Sequence, residues 1–233
     1  MKIILAAIPS FSASCFGLTI ITHDHLDVGL AYEDDAWDLH IGIDDELNPG
    51  EHIELDPADA LIYGDDTIRI LAPGSGNFGF LGEAGEPVWI FPQSEITGVP
   101  YIGIGAEEIN PLDFVGGLSL SLINVSGPGD FILYQNDALS TPTVFMNSRD
   151  GIDAGDNVGV TAGGHAHYNW AFTEPGVYQV YLQASGILND GENTESWSAV
   201  TAYQFGINQV PEAEHYALLA GLALMGLIVW RRR

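Results

Sequence analysis

The chain reads as an all-β protein, an immunoglobulin-like β-sandwich with an N-terminal signal peptide and a C-terminal apolar helix. Three observations lead there. Short stretches alternate apolar and polar residues at period two, the signature of half-buried strands. Turn-forming clusters separate them at short, regular intervals, among them Asn48-Pro49-Gly50, Ala72-Pro73-Gly74, Ser126-Gly127-Pro128-Gly129, Glu174-Pro175-Gly176 and Asn189-Asp190-Gly191. No amphipathic helical pattern precedes the last two dozen residues.

Strands are predicted over 26–30, 36–43, 67–71, 88–91, 118–124, 130–135, 169–172, 177–184 and 199–207. In each, every second position is apolar or the whole run is, and Gly, Pro, Asn or Asp closes it. The Thr173-Glu174-Pro175-Gly176-Val177-Tyr178 segment is a turn entering a strand, as immunoglobulin-like folds often have. No internal repeat or long linker divides the body. Its length, about 190 residues, is enough to close one sizeable core.

The two ends differ from the body. Met1-Lys2 followed by Ile3-Ile4-Leu5-Ala6-Ala7-Ile8 is a charged segment leading a short apolar one, with small residues at Ser12, Ala13, Ser14 and Gly17. Residues 1–17 therefore read as a signal peptide, residues 18–208 as the β-sandwich surface domain and residues 209–233 as a sorting tail with a transmembrane helix. In the tail, an uncharged run from Tyr216 to Trp230 ends on Arg231-Arg232-Arg233. Its 15 residues give a helix of about 22 Å, short against the roughly 20 residues of a permanent span. Arginines stay on the cytoplasmic side, which places the body outside it.

Composition narrows the partners. The net charge is −26, and only Arg69 and Arg149 carry positive charge between the two end segments. Such a body repels nucleic acid and anionic lipid heads, and it concentrates divalent cations near its surface. The lone cysteine, Cys15, lies in the leader, so the body has neither a disulfide nor a thiolate metal ligand.

Metal chemistry must then use nitrogen and oxygen. In Gly163-Gly164-His165-Ala166-His167-Tyr168-Asn169-Trp170, the two histidines of a strand share a face about 7 Å apart at the backbone. In His23-Asp24-His25-Leu26-Asp27, the same rule puts His23, His25 and Asp27 on one face. His25, Asp27, His165 and His167 make a donor set suited to Zn²⁺, with Cu²⁺ as the alternative. Asp27 serves as the fourth ligand or as a partner that orients an imidazole. His40, His52 and His215 have no such setting: His40 reads as an ordinary strand-face residue and His52 as part of an acidic turn. The Asp150–Asn157 stretch is dense in carboxylates but lacks the spacing of a calcium loop, and reads as a solvated acidic loop.

Two resemblances sharpen these readings. Val210-Pro211-Glu212, the Tyr216-Ala217-Leu218-Leu219-Ala220-Gly221 stretch and the closing arginines resemble the PEP-CTERM sorting signal of Gram-negative bacteria, with Ala213 where that family usually has a second proline. The resemblance implies export, an exosortase-type sorting protease as partner and transient membrane insertion through the C-terminal helix. His25-Leu26-Asp27-Val28-Gly29, Gly85 to Gln93, Gly98-Val99-Pro100, Gly127 to Tyr134, His165 to Phe172 and Pro175-Gly176-Val177-Tyr178 resemble, in order, the choice-of-anchor M surface-anchored domain. A similar domain occurs in actinobacterial surface proteins beside metal-type transporters. That implies capture of a metal or metal-bearing ligand, with a metal-uptake transporter as partner, and brings no catalysis with it; a surface polysaccharide is the other expected partner.

The expected function is thus an exported, surface-anchored binding protein that holds a transition metal through paired histidines. The alternative is a structural or adhesive matrix protein that contacts carbohydrate through exposed aromatic rings. An enzyme is not expected: neither His-Glu-x-x-His nor Gly-x-Ser-x-Gly occurs.

Overall fold

The computed structural model describes residues 18–44 and 52–210. The signal peptide, all of the sorting tail beyond Val210, and His215 lie outside the described residues. Within them the protein is built from strands joined by turns and four short 3₁₀ segments. The strands are β1 (Thr19–Ile21), β2 (His25–Glu33), β3 (Ala36–Asp44), β4 (His52–Leu55), β5 (Ala60–Gly64), β6 (Arg69–Leu71), β7 (Pro87–Phe91), β8 (Tyr101–Gly105) and β9 (Leu118–Ser126). They continue with β10 (Phe131–Asn136), β11 (Pro142–Asn147), β12 (Asn157–Val160), β13 (His165–His167), β14 (Asn169–Phe172), β15 (Gly176–Ile187), β16 (Glu195–Trp197) and β17 (Thr201–Ile207).

Three sheets result. The largest runs β1-β5-β17-β15-β9-β12, with β16 added to β15. The second runs β11-β10-β14-β7-β6, and the third β13-β8-β2-β3-β4. Most pairings are antiparallel, but β1 with β5, β5 with β17 and β2 with β8 are parallel. The architecture is all-β and sandwich-like. All nine predicted strand segments fall on strands, although 67–71 begins with a 3₁₀ turn before β6.

One apolar core joins the sheets. The third sheet contributes Leu26, Val28, Ile41, Ile102 and Ile104, the second Phe91, Phe131, Trp170 and Phe172, and the largest Leu120, Tyr178, Val180, Leu182, Tyr203 and Phe205. Strand alternation produces this: consecutive side chains leave on opposite faces, so every second residue is delivered inward. The second sheet is covered on its other face too, where Val88, Ile90, Ile132, Tyr134 and Ala171 pack under Leu81, Phe78 and Phe80. Tyr178 is fully buried, and its hydroxyl donates to the Glu174 carbonyl at 2.7 Å, tying the turn before β15 to the strand.

The third sheet positions the functional face. Leu26 pairs with Ile43 and Ile102, and Val28 pairs with Ile41 and Ile104. With these residues facing the core, their neighbours must face outward. A slip of one residue would bury the polar set and expose the apolar one, so the apolar pattern fixes which side chains share the outer surface.

Candidate metal centre

The outer face of the third sheet is a grid of histidines, carboxylates and glycines. One row reads Tyr101, His25, Asp44, His52 across β8, β2, β3 and β4. The next reads His167, Gly103, Asp27, Gly42, Glu54 from β13 to β4, and the third His165, Gly105, Gly29, His40 from β13 to β3. Five of the chain's seven histidines therefore lie on one sheet face. That concentration separates a built site from scattered polar groups.

β13 is short because the chain changes sheets. His165–His167 pairs with β8, Tyr168 turns into the interior, and Asn169–Phe172 pairs with β10 and β7. The histidine pair and the strand predicted over 169–172 thus lie on two strands in two sheets. The predicted sharing of a face by His165 and His167 is unaffected, because both precede the break.

The structure brings His25, Asp27, His165 and His167 together, with one ligand atom from each inside a 4.8 Å span. The Nε2 atoms of His165 and His167 are 2.8 Å apart, those of His25 and His167 3.2 Å, and Asp27 Oδ2 is 3.7 Å from His25 Nε2. In a tetrahedral site with metal–ligand bonds of about 2.0–2.1 Å, ligand atoms stand about 3.3–3.4 Å from one another. The observed separations bracket that value. His23 does not join this group. It precedes β2 and its Nδ1 lies 3.0 Å from the Thr22 hydroxyl.

The ring nitrogens facing away from this centre set the tautomers. His25 Nδ1 contacts Asp44 Oδ2 at 2.8 Å, and His165 Nδ1 contacts Glu107 Oε1 at 3.2 Å. With the His25 Nδ1–H donating to Asp44, the His25 Nε2 lone pair is turned toward the centre, the arrangement that metal-bound histidines use, and Glu107 lies within ion-pair distance of His165 Nδ1. The His167 ring stacks on Tyr101 with centroids 3.6 Å apart and planes 10° apart, which fixes its plane.

Two buried atoms beside the centre lack a hydrogen-bond partner. Asp27 Oδ1 and His167 Nδ1 are buried without a hydrogen-bond partner. Burial pushes His167 down to about 4, with the charges of His25 and His165 acting in the same direction and the Ile102 backbone opposing weakly. Burial also raises Asp27, against the pull of His25 and His165. Buried groups left unpaired destabilise a fold by roughly 1–3 kcal/mol each. Converging lone pairs around a carboxylate are what a divalent cation satisfies.

This gives one pH prediction. The folded value of His167 lies below its unfolded value near 6.5, so the unfolded chain takes up the extra proton between the two. The stability associated with neutral His167 is complete above about 6.5 and is lost as pH falls toward about 4. Asp27, raised, acts in the opposite sense at the acidic end of that window. Metal-free protein should therefore melt at lower temperature as pH drops below about 6.5, and His167→Gln should flatten that slope. Melting curves at stepped pH check this, and equal slopes in parent and variant would contradict it.

Glycines make room for the rings. A Cβ at Gly103 would overlap Asp27 Oδ1 and lie 3.1 Å from His167 Cε1, and one at Gly105 would lie 2.7 Å from Glu107 Oε2. Neither glycine has a positive φ, so space rather than backbone conformation calls for glycine at these positions.

Sequence reasoning missed part of this face. His40 is buried, 5% exposed, with its Nε2 3.3 Å from Glu108 Oε1. His52 lies on β4 rather than in a turn, and its Nδ1 is 3.2 Å from Asp44 Oδ1. His40, His52 and Glu108 form a second group whose ligand atoms lie within 4.8 Å of one another. The available signal was the spacing of His40, Gly42 and Asp44, which puts all three on one strand face.

Other sequence candidates resolve differently. Asp156, in the acidic loop, accepts from the backbone N–H groups of Asn147 and Asp153 at 2.7 Å each. Its carboxylate closes the loop instead of facing solvent. Trp89 and Trp170 fill the interior, while Trp197 is 56% exposed. Among the described residues no helix is long and apolar enough to cross a membrane. No protein-family model, curated protein or solved structure matches the chain.

Proposed function

We propose that the protein is an exported, surface-anchored bacterial binding protein that holds one transition-metal ion through His25, His165 and His167, with Asp27 as the fourth ligand. The observation that carries this reading is the convergence of three imidazole nitrogens and a carboxylate within a 4.8 Å span, with carboxylates beside the Nδ1 atoms of two of the imidazoles. Three nitrogens and one oxygen suit Zn²⁺, and Cu²⁺ by the same donor chemistry. The reading is binding and not catalysis, because four protein ligands fill a tetrahedral shell and leave no open position for substrate.

The test is titration of chelator-stripped protein with Zn²⁺, followed by calorimetry and by thermal melting. One equivalent should bind at this centre and raise the melting temperature, since the ion has a preformed site only in the folded chain. Protons compete for the same lone pairs, so binding should weaken as pH falls through the histidine range near 6.5. No uptake at neutral pH would end this reading.

Surface attachment rests on the sequence at the two ends, with the choice-of-anchor M and PEP-CTERM resemblances. The Tyr178–Glu174 hydrogen bond supports an immunoglobulin-like character, since it ties a buried tyrosine to the backbone just upstream, as the tyrosine corner of such domains does. We infer an exosortase-type protease as processing partner and a metal-uptake transporter as the recipient of the ion. Protein released from the cell surface should then begin between Cys15 and Thr22 and lack Arg231–Arg233. Intact mass measures this, and retention of the three arginines would refute the tail cleavage. The matrix-adhesion alternative draws support from Trp197, whose exposed ring offers one stacking surface for a sugar.

A further inference from the structure

We propose a second divalent-cation site on the same sheet face, formed by His40, His52 and Glu108 and joined to the first centre through Asp44.

Four observations carry it. The three residues each bring a ligand atom within 4.8 Å of the others, from three separate segments of chain. His40 Nε2 lies 3.3 Å from Glu108 Oε1, and its Nδ1 is buried without a hydrogen bond, 3.5 Å from Asp38 Oδ2. Second, the lack of a side chain at Gly42 leaves room for the His52 ring. A Cβ there would lie 2.8 Å from His52 Cε1, 3.1 Å from His52 Nε2 and 4.0 Å from His40 Nε2, so the two Nε2 atoms lie near one point. Third, a Cβ at Gly29 would overlap the His40 ring, so the ring can lie flat on the sheet only because position 29 is glycine. Fourth, His40 also borders a groove of about 480 Å³ lined by Asp38, Glu54 and Asp56, which adds negative charge beside the site.

Asp44 joins the two centres. Its Oδ2 contacts His25 Nδ1 at 2.8 Å and its Oδ1 contacts His52 Nδ1 at 3.2 Å. One carboxylate thus fixes the tautomer of one histidine in each centre and points both Nε2 atoms inward. The turn after β8 also reaches both centres, with Glu107 beside His165 Nδ1 and Glu108 beside His40 Nε2. Two imidazoles and one carboxylate leave a fourth position for water, so this second ion is the more readily exchanged of the two.

The test uses Zn²⁺ itself, counted per chain by native mass spectrometry and titrated by calorimetry on the full body. The parent should bind two equivalents. His52→Ala and Glu108→Gln, both at exposed positions that the fold does not depend on, should each bind one. Asp44→Asn should weaken both equivalents by about 10–100-fold, the usual effect of removing a carboxylate that orients a metal-bound histidine. A parent that binds one equivalent, unchanged in His52→Ala and Glu108→Gln, overturns the second site and leaves the first standing. A single equivalent that His52→Ala abolishes, while His165→Ala with His167→Ala does not, supports the second site and overturns the first. A parent that binds none overturns both.

Discussion

Replacing His165 and His167 together by alanine should remove one bound ion per chain and the thermal stabilisation that comes with it. At Zn²⁺ about 100-fold above the dissociation constant, an ion specific for the folded state contributes about 2.7 kcal/mol. For a domain of this size that corresponds to roughly 5–10 °C in melting temperature. The variant should keep its fold. Both residues lie on β13, at the edge of the third sheet, where pairing with β8 runs through backbone groups that alanine retains. Removal of the rings also deletes a buried nitrogen without a partner. Far-UV circular dichroism should match the parent, while calorimetry should show the loss of one equivalent. If the double variant takes up as much metal as the parent and gains the same melting shift, the ion is elsewhere and the site assignment fails.

The strands were legible in the sequence because alternation reports burial directly. In 36–43, Leu39, Ile41 and Ile43 go inward and the rest follow. β8 was illegible for a related reason. Tyr101-Ile102-Gly103-Ile104-Gly105 has only two large apolar residues, and its glycines read as breakers. In the folded protein those same glycines face the candidate centre, where a Cβ would collide with Asp27 Oδ1 or Glu107 Oε2. The pairing of His165 with His167 was legible because two residues on one strand always share a face. The convergence of His25 with them depends on β8 pairing with both β2 and β13, a tertiary fact that no local spacing encodes. His40 lies on a strand face as read, but its approach to Glu108 was illegible for the same reason. Its neighbours Leu39 and Ile41 speak only of the core, whereas its surroundings are set by Gly29 across the strand and by Glu108 on a distant turn.

Gly103→Ala should separate space from ligand chemistry, since it changes neither a donor nor a charge. The new methyl would overlap Asp27 Oδ1 and press on His167 Cε1 at 3.1 Å. β8 is paired on both sides, with β2 and with β13, so the backbone cannot withdraw without breaking two ladders. The side chains must yield instead. Asp27 has to rotate its carboxylate away from the centre, and His167 is held by its stack on Tyr101 and cannot follow it. Affinity for Zn²⁺ should fall at least about tenfold, as when other supports of a metal ligand are removed. The fold should survive, because the displaced atoms belong to the outer face and not to the core. Gly159→Ala is the matched control: it also lies within a strand, on β12, and its Cβ would meet nothing within 4 Å. It should leave metal binding unchanged and, by restricting the unfolded chain, add about 0.4–1 kcal/mol to stability. Calorimetric titration of the two variants beside the parent decides the matter. Parent-like affinity in Gly103→Ala would mean that the glycine rows are incidental, and that Asp27 is not where the ion binds.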